Sequence, residues 1–167
     1  DNLSSPCAFT EYDLEMLSAI GKQAGIALER MKLTEDIERL FYGTIRTLVA
    51  TIEAKDHYTK GHTERVTTYS LQIAGELALS PEEVETLQLA SLLHDVGKIG
   101  IPDAIITKPE RLTPEEYKEI QKHPEIGAKI LEPVEFLRNI VPCVRHHHEW
   151  YDGCSAGYPD RLKSDQI

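Results

Sequence analysis

The chain has 167 residues, enough for one domain with a buried core, and carries a net charge of −10 at pH 7. This acidity excludes a protein that follows the phosphate backbone of DNA or RNA over a large face, because the polyanion would be repelled. No apolar run is long enough to cross a bilayer and no signal peptide is recognisable, so we expect a soluble, cytoplasmic protein.

A long amphipathic helix is predicted first. Thr10 suits an N-cap, and acidic residues follow it in the first turn, where the helix dipole favours them. Apolar residues then recur at helical spacing as far as Met31 and, with a shifted phase, from Leu33 to Ile52. The run predicts up to about forty helical residues, more than a globular helix usually has. This favours a dimeric connector, with two separate amphipathic helices as the alternative.

The middle of the chain predicts two further helices. Residues 59–61 break the first run, and His62 stands at the start of the next helix. Ser80 opens a capping box with a proline in the first turn. The helix that follows becomes apolar on nearly all sides towards its end, so we expect a central buried helix that delivers His94 and Asp95 to the interior.

Beyond this pair the sequence predicts a loop and more helices. Gly97 is expected to turn the chain, and residues 98–110 to form a loop with two prolines. Thr113 opens another capping box, for a short helix ending near residues 123–124, and later helices run into the polar segment 146–149. No strand alternation is recognisable, so the predicted class is all-α, a helical bundle preceded by a long connector helix.

Histidines and one aspartate stand at the ends of predicted helices. They are His62, His94, Asp95, His123, His147 and His148. Helix ends that meet can build a metal centre from distant parts of a chain. Five imidazoles and a carboxylate exceed the needs of one tetrahedral zinc ion, so we expect two divalent ions bridged by Asp95. Iron or manganese suits these mixed ligands, zinc is also possible, and two ions can activate a hydroxide against a phosphodiester.

Lys98 is the second catalytic candidate beside Asp95. It follows His94 by four residues, where its ammonium group could neutralise a phosphate or protonate a leaving oxygen. An exposed lysine without a catalytic role is the alternative.

The motifs carry a family resemblance. His94-Asp95 with Gly97 and Lys98 resembles the HD superfamily of metal-dependent phosphohydrolases. An ordered series resembles its HD-GYP subfamily: Asp56-His57-Tyr58-Thr59, Gly61-His62, Arg65-Val66, HDVGKIGIPD, Lys108-Pro109, Leu112-Thr113, His123 with Gly127, His147-His148-Glu149, Asp152-Gly153 and Gly157-Tyr158-Pro159. The resemblance implies a bacterial signalling hydrolase that opens cyclic di-GMP to pGpG, and sometimes on to GMP.

The resemblance also implies roles for residues. The six candidate ligands would hold the metals, with Asp95 bridging. Lys98 would contact the scissile phosphate and Tyr158 would approach the substrate, with Asp56 and Gly157 in the same substrate-binding set. Some family members carry a further metal-binding glutamate where this chain has Tyr58, which favours a two-metal site.

The start of the chain is similar to the closing helix of a GAF sensory domain. We therefore predict three regions: residues 1–31 as the end of a GAF-like domain, 32–55 as a connector helix, and 56–167 as an HD-GYP domain that is incomplete at its C-terminus. A homodimer through the connector would transmit a rotation or a register shift from the sensor.

Three departures from the family pattern bear on activity. Residues 154–156 add two positions between the DG and GYP elements, Glu110 replaces the glycine of a KPG motif, and the family's further metal-binding aspartate would fall after residue 167. We expect the isolated chain to bind metal weakly and turn over slowly. Two alternatives stay open: a nucleotide-sensing module with impaired catalysis, and an HD phosphohydrolase for another nucleotide such as a dNTP or a guanosine polyphosphate.

Overall fold

The structure is a computed structural model that describes residues 9–56, 61–153 and 157–163. Its secondary structure over these ranges is helical, without a strand and with one isolated antiparallel bridge between His148 and Tyr158. The predicted all-α class is confirmed. None of the described helices combines the length and the apolar character needed to span a membrane.

The first helix, α1, runs from Glu11 to Lys55, 45 residues without a break. Thr10 caps it as expected: its Oγ1 accepts a hydrogen bond of 3.2 Å from the Asp13 N–H, and its own N–H donates to Asp13 Oδ2 at 2.7 Å. This continuous helix of 45 residues is longer than the predicted run of about forty. It excludes the alternative of two separate helices.

The chain divides into two compact units, Asp1–Thr44 and Ile45–Ile167. In the described part of the first unit the apolar stripe of α1 is exposed; its large members include Leu14, Leu17, Leu28, Met31, Leu33, Ile37 and Leu40. In the second unit the last turns of α1 bury Ile45 and Ile52. The boundaries predicted after residues 31 and 55 differ from this division and stay predictions.

Six more α-helices and two 3-10 helices follow in the described part of the second unit. The α-helices are α2 (His62–Glu76), α3 (Pro81–Leu93), α4 (Asp103–Ile106), α5 (Pro114–Ile120), α6 (His123–Leu131) and α7 (Val141–His146). The 3-10 helices span Val96–Gly100 and Glu135–Ile140. The capping boxes predicted at Ser80 and Thr113 both form.

The helix α3 lies at the centre of the second unit. Its last five residues are buried, as the apolar pattern predicted. It contacts α2, α7 and the second 3-10 helix, while α6 contacts α7 and the first 3-10 helix. The end of α3, the start of α6 and the end of α7 therefore meet in one region.

The segment after His94 differs from the prediction. The expected loop over residues 98–110 begins with a 3-10 helix and contains α4. Gly97 lies inside the 3-10 helix, and a Cβ on it would come within 1.9 Å of the carbonyl oxygen of His123. Gly97 is thus needed for close packing against the start of α6 rather than for a left-handed turn.

The start of α6 is a second difference. The sequence led us to expect residues 123–124 to end the preceding helix, but α5 ends at Ile120 and His123 is the first residue of α6. Pro124 fits there because the first residues of a helix have no intrahelical partner for their N–H groups.

Candidate metal centre

Three histidines are oriented by the same local contact. Each lies at a helix end: His94 after α3, His123 at the start of α6 and His147 after α7. In each ring Nδ1 lies 2.7 Å from the carbonyl oxygen three residues earlier, which belongs to Ser91, Ile120 and Val144 respectively. A carbonyl can only accept, so Nδ1–H donates and Nε2 is left to face the site.

The Asp95 carboxylate lies between two of these rings. Its Oδ2 is 3.3 Å from Nε2 of His94, and its Oδ1 is 3.3 Å from Nε2 of His123. Burial raises the pKa of Asp95, but hydrogen bonds from His123 and His94 and the charges of His94 and Lys98 outweigh it and hold that pKa well below its usual range. The carboxylate is therefore ionised at neutral pH.

The six predicted ligands form two clusters. The aspartate cluster is His62, His94 and Asp95, and the histidine cluster is His123, His147 and His148; within each, one ligand atom per residue lies within 4.8 Å of the others. Asp95 links them through its contact with His123. The structure thus brings together residues separated by up to 86 positions in the chain (62 to 148).

The donor set fits divalent cations. Nε2 of His123 and Nε2 of His147 are 3.2 Å apart, and because Nδ1 of each ring faces a backbone carbonyl group, Nε2 is the ring atom left to bind a metal. Burial lowers the pKa of His147 to about 3 and that of His148 to about 4, so both rings are neutral, the form that binds metal. Imidazole nitrogens gathered around a carboxylate would be stabilised by a cation between them.

Lys98 lies beside this centre. Its Nζ is 2.8 Å from Asp95 Oδ2 and 3.3 Å from Asp56 Oδ2, so the lysine is held between two largely buried carboxylates. A cavity of about 690 Å³ is lined by Lys98 and by every residue of both clusters. Asp56 is thus connected to the metal centre through its ion pair with Lys98.

Comparison with known proteins identifies the family. A family model described as HD domain matches residues 46–167. The chain belongs to the HD domain family. Membership implies a site for divalent metal ions, and the two clusters are where the HD domain of this chain can hold them.

Curated relatives of this HD domain include three from different bacteria. The chain is 33% identical to 3'3'-cGAMP-specific phosphodiesterase 2 of Vibrio cholerae, over 95% of the chain and 30% of the relative. It is 36% identical to a cyclic di-GMP phosphodiesterase response regulator of Xanthomonas campestris, over 87% of the chain and 39% of the relative. It is 40% identical to a cyclic di-GMP phosphodiesterase of Thermotoga maritima, over 79% of the chain and 36% of the relative. The chain spans about a third of the length of these relatives.

Tyr158 closes one side of the HD domain cavity. Its ring stacks on His148 with centroids 4.5 Å apart and an angle of 22° between planes, and it lines the same cavity. Burial raises the pKa of the Tyr158 phenol, with smaller contributions from Tyr117 and Asp95, so the phenol is neutral and can donate a hydrogen bond. Gly157 lines a neighbouring cavity of about 260 Å³.

Glu149 anchors the segment that carries Tyr158. Its side chain is 1% exposed, and its carboxylate accepts hydrogen bonds from the N–H groups of Asp160, Arg161 and Leu162 at 2.7, 3.0 and 3.1 Å. A Cβ on Gly157 would lie 2.8 Å from the backbone nitrogen of Trp150, so the close approach requires glycine. No role was predicted for Glu149, which stands directly after the paired histidines in the HD-GYP motif series.

Other sequence-based predictions fall partly outside the described residues. Tyr58 and the added segment 154–156 lie there, so their predicted effects stay predictions. His146, next to the paired histidines, lies outside both clusters: its Nδ1 is 3.7 Å from Asp160 Oδ2 and 3.9 Å from Glu149 Oε1.

Proposed function

We propose that this chain is the catalytic domain of a phosphodiesterase that hydrolyses cyclic di-GMP to pGpG. The observation that carries the proposal is Asp95: one ionised carboxylate contacts a ring of each cluster and also Lys98, at the wall of a cavity of about 690 Å³. The names of the relatives from Xanthomonas and Thermotoga support this substrate.

Two divalent ions would be held by the chain's own donors. His62, His94 and Asp95 would hold one ion, and the histidine cluster the other, with Asp95 bridging. Bound ions of this kind acidify water and withdraw charge from phosphate oxygens, and that is the chemistry they would supply here. Five imidazoles with one carboxylate favour iron or manganese, and elemental analysis of anaerobically purified protein tests this choice.

Lys98 and Tyr158 act on the substrate in this proposal. The Lys98 ammonium would contact the scissile phosphate and donate a proton to the leaving oxygen, and Asp56 would hold the lysine in that position. The neutral Tyr158 phenol would donate a hydrogen bond to the substrate, and Gly157 would let its segment approach closely. These cationic and neutral groups matter because the chain as a whole repels an anionic nucleotide.

Product analysis tests the proposed reaction. The protein is incubated with Mn²⁺ or, anaerobically, with Fe²⁺ and cyclic di-GMP, and products are separated by chromatography. We expect pGpG, with GMP at longer times. Binding of cyclic di-GMP without any product, in protein that holds two metal equivalents, would contradict the hydrolase and favour a sensing module.

A second candidate substrate is 3'3'-cGAMP. It is favoured by the relatives from Vibrio cholerae that are named as specific for it. A purine exchange leaves the phosphodiester chemistry unchanged, so both substrates suit the same metal centre. Measuring kcat/KM for both dinucleotides, and for a dNTP and a guanosine tetraphosphate, decides among them.

We also propose that the chain forms a homodimer through α1. The exposed apolar stripe described above supports this, because a second copy of the same helix would bury it. Sedimentation at micromolar concentration is expected to give a dimer, and Leu28→Glu to give monomer. Gln23→Glu, on the opposite face by helical spacing, is the control. A monomeric wild type would contradict the dimer.

A further inference from the structure

The last turn of α1 is attached to two segments that carry residues of the metal centre. Ile52 and Glu53 of this turn line a cavity of only about 10 Å³ together with Asp95, Val96 and Lys98, so the turn lies directly behind the aspartate cluster. Its attachments are made by charged side chains to backbone groups. Such contacts fix position more closely than apolar packing does, because they have a preferred direction and length.

Glu53 holds the start of α2. Its Oε1 accepts a hydrogen bond of 3.0 Å from the N–H of Thr63, and its Oε2 one of 3.1 Å from the N–H of Gly61. These donors flank His62 and belong to the first residues of a helix, where N–H groups lack intrahelical partners. The Gly61 N-cap supplies no side-chain cap of its own, so the carboxylate of α1 acts in its place.

Lys55 holds the segment after Lys98. Its Nζ lies 2.9 Å from the carbonyl oxygen of Ile101 and 3.4 Å from that of Ile99, and it forms an ion pair of 2.7 Å with Asp103 Oδ1. These two carbonyl groups lie at the C-terminal end of the 3-10 helix Val96–Gly100, where carbonyl groups lack intrahelical partners. The positive charge of Lys55 compensates them. The contact thereby joins α1 to the 3-10 helix that contains Lys98 and to the first residue of α4.

We propose that Glu53 and Lys55 are positioning residues, Glu53 for His62 and Lys55 for Lys98. Neither side chain is a metal ligand in our assignment. Each determines where a segment of the site lies relative to α1, so a displacement of the last turn of α1 would move His62 and Lys98 together. The part that concerns Lys98 rests on the proposed hydrolysis, whereas the part that concerns His62 is a statement about metal affinity alone.

The Glu53 part is tested by metal titration. Glu53→Gln keeps the shape of the side chain but removes the charge and turns an amide N–H₂ towards a backbone donor. We expect Mn²⁺ affinity at one of two sites, measured by calorimetry, to fall about tenfold, since partners of metal ligands contribute about 10–100-fold. The control is Glu83→Gln, because Glu83 also accepts a helix-start hydrogen bond, from the Ser80 N–H at 2.8 Å, but at the opposite end of α3 from His94. Glu83→Gln should change the affinity less than about twofold.

The Lys55 part is tested by kinetics. Lys55→Met should lower kcat about tenfold with metal content and KM little changed, because Lys98 acts in the transition state. Lys55→Arg, which can reach the same carbonyl groups, should restore most of kcat. The control is Lys108→Met, since Lys108 also forms a 2.7 Å ion pair, with Glu116, and its side chain is 25% exposed against 24% for Lys55.

The outcomes separate this inference from the proposed function. Unchanged Mn²⁺ affinity in folded Glu53→Gln overturns the role of Glu53, and a Lys55→Arg variant as slow as Lys55→Met overturns that of Lys55. If wild type binds Mn²⁺ but hydrolyses none of the nucleotides, the proposed function fails while the Glu53 titration still decides the inference. Should Glu53→Gln not fold, as judged by circular dichroism, the Lys55 variants decide the proposal. A loss of kcat in Lys55→Met with unchanged Mn²⁺ affinity supports it, and an unchanged kcat overturns it.

Discussion

The aspartate cluster and the histidine cluster lie in one cavity, but their surroundings differ. The aspartate cluster contains a carboxylate with a strongly lowered pKa, next to the Lys98 ammonium and the buried Asp56. Histidine-cluster rings lie among other imidazoles, where burial lowers the pKa of His147 to about 3. One side of the centre is therefore ionic, and on the other, the neutral side, His147 and His148 are uncharged.

The attachments of the two clusters differ as well. The aspartate cluster is backed by the last turn of α1 through Glu53 and Lys55. The histidine cluster is held by helix ends and by the stacked Tyr158, whose segment is anchored on Glu149. A helix displacement would thus act first on the ionic side, and a change of the Tyr158 segment on the neutral side. Variants that affect one side and leave the other intact test this division.

Asp95→Ala is expected to have the largest effect, because this carboxylate contacts both clusters. Metal affinity should fall by more than about 100-fold, since even partners of metal ligands contribute about 10–100-fold. Turnover should be lost with it. Elemental analysis after dialysis, beside hydrolysis of cyclic di-GMP, measures both quantities.

The control for Asp95→Ala is Asp56→Ala, which removes the other carboxylate near Lys98 but no assigned ligand. Its metal content should stay at the wild-type value. If Asp95→Ala kept two metal equivalents, the carboxylate would not connect the clusters, and the sensing module would become the better explanation of the fold.

Lys98→Met should lower turnover strongly and leave both ions in place. A positioned proton donor contributes about 10²–10⁴-fold to a rate, so we expect a loss of kcat within that range. The variant separates the two functions of the ionic side, metal binding by Asp95 and substrate activation by Lys98. Loss of metal from Lys98→Met, measured by elemental analysis, would mean that the lysine serves to hold Asp95 rather than to act on the phosphate.

Glu149→Gln should act on the neutral side. Its carboxylate accepts three backbone hydrogen bonds in a buried position, and replacing a charged acceptor there costs about 1.5–3 kcal/mol of stability. A loosened Tyr158 segment should raise KM by at most the same free energy, that is about tenfold to 150-fold, with metal content unchanged. The control is Glu125→Gln, because Glu125 pairs with Arg145 at 3.2 Å in a more exposed position. A KM equal to that of wild type would exclude this segment from substrate binding.

The parts of this site that depend on near neighbours in the chain were predictable. The boxes at Ser80 and Thr113 and the helix end at His94 involve residues within three or four positions, and all three are present in the structure. The placement of the candidate ligands at helix ends was predictable in the same way, and their binding of metal stays a prediction. Three predictions were wrong for want of tertiary information. They are the loop after His94, the role of Gly97, which is decided by the packing of α6, and the helix end near residues 123–124.

The anchoring contacts could not be predicted from local pattern. Glu53 accepts from a residue 8 positions away, Glu149 from one 11 positions away, and Lys55 donates to one 46 positions away. Each looks like an ordinary surface charge in the sequence. Only the fold reveals that their partners are unpaired backbone groups next to residues of the metal centre, which no spacing rule could supply.

The smallest expected effect concerns the protonation of the two clusters in metal-free protein. Burial lowers the pKa of His94, but its hydrogen bond and charge interaction with Asp95 outweigh this and raise that pKa, whereas His147 and His148 have pKa values of about 3 and about 4. The His94 resonance should therefore shift at a pH above 6.5 in an NMR titration, while those of His147 and His148 stay fixed down to pH 5. The unfolded chain binds protons at all three rings near pH 6.5, so His147 and His148 should destabilise the folded state as pH falls below that value, and His94 should partly offset this. A His147 resonance that titrates near pH 6.5 would mean that the histidine cluster is open to water, and the contrast between an ionic and a neutral side would then disappear.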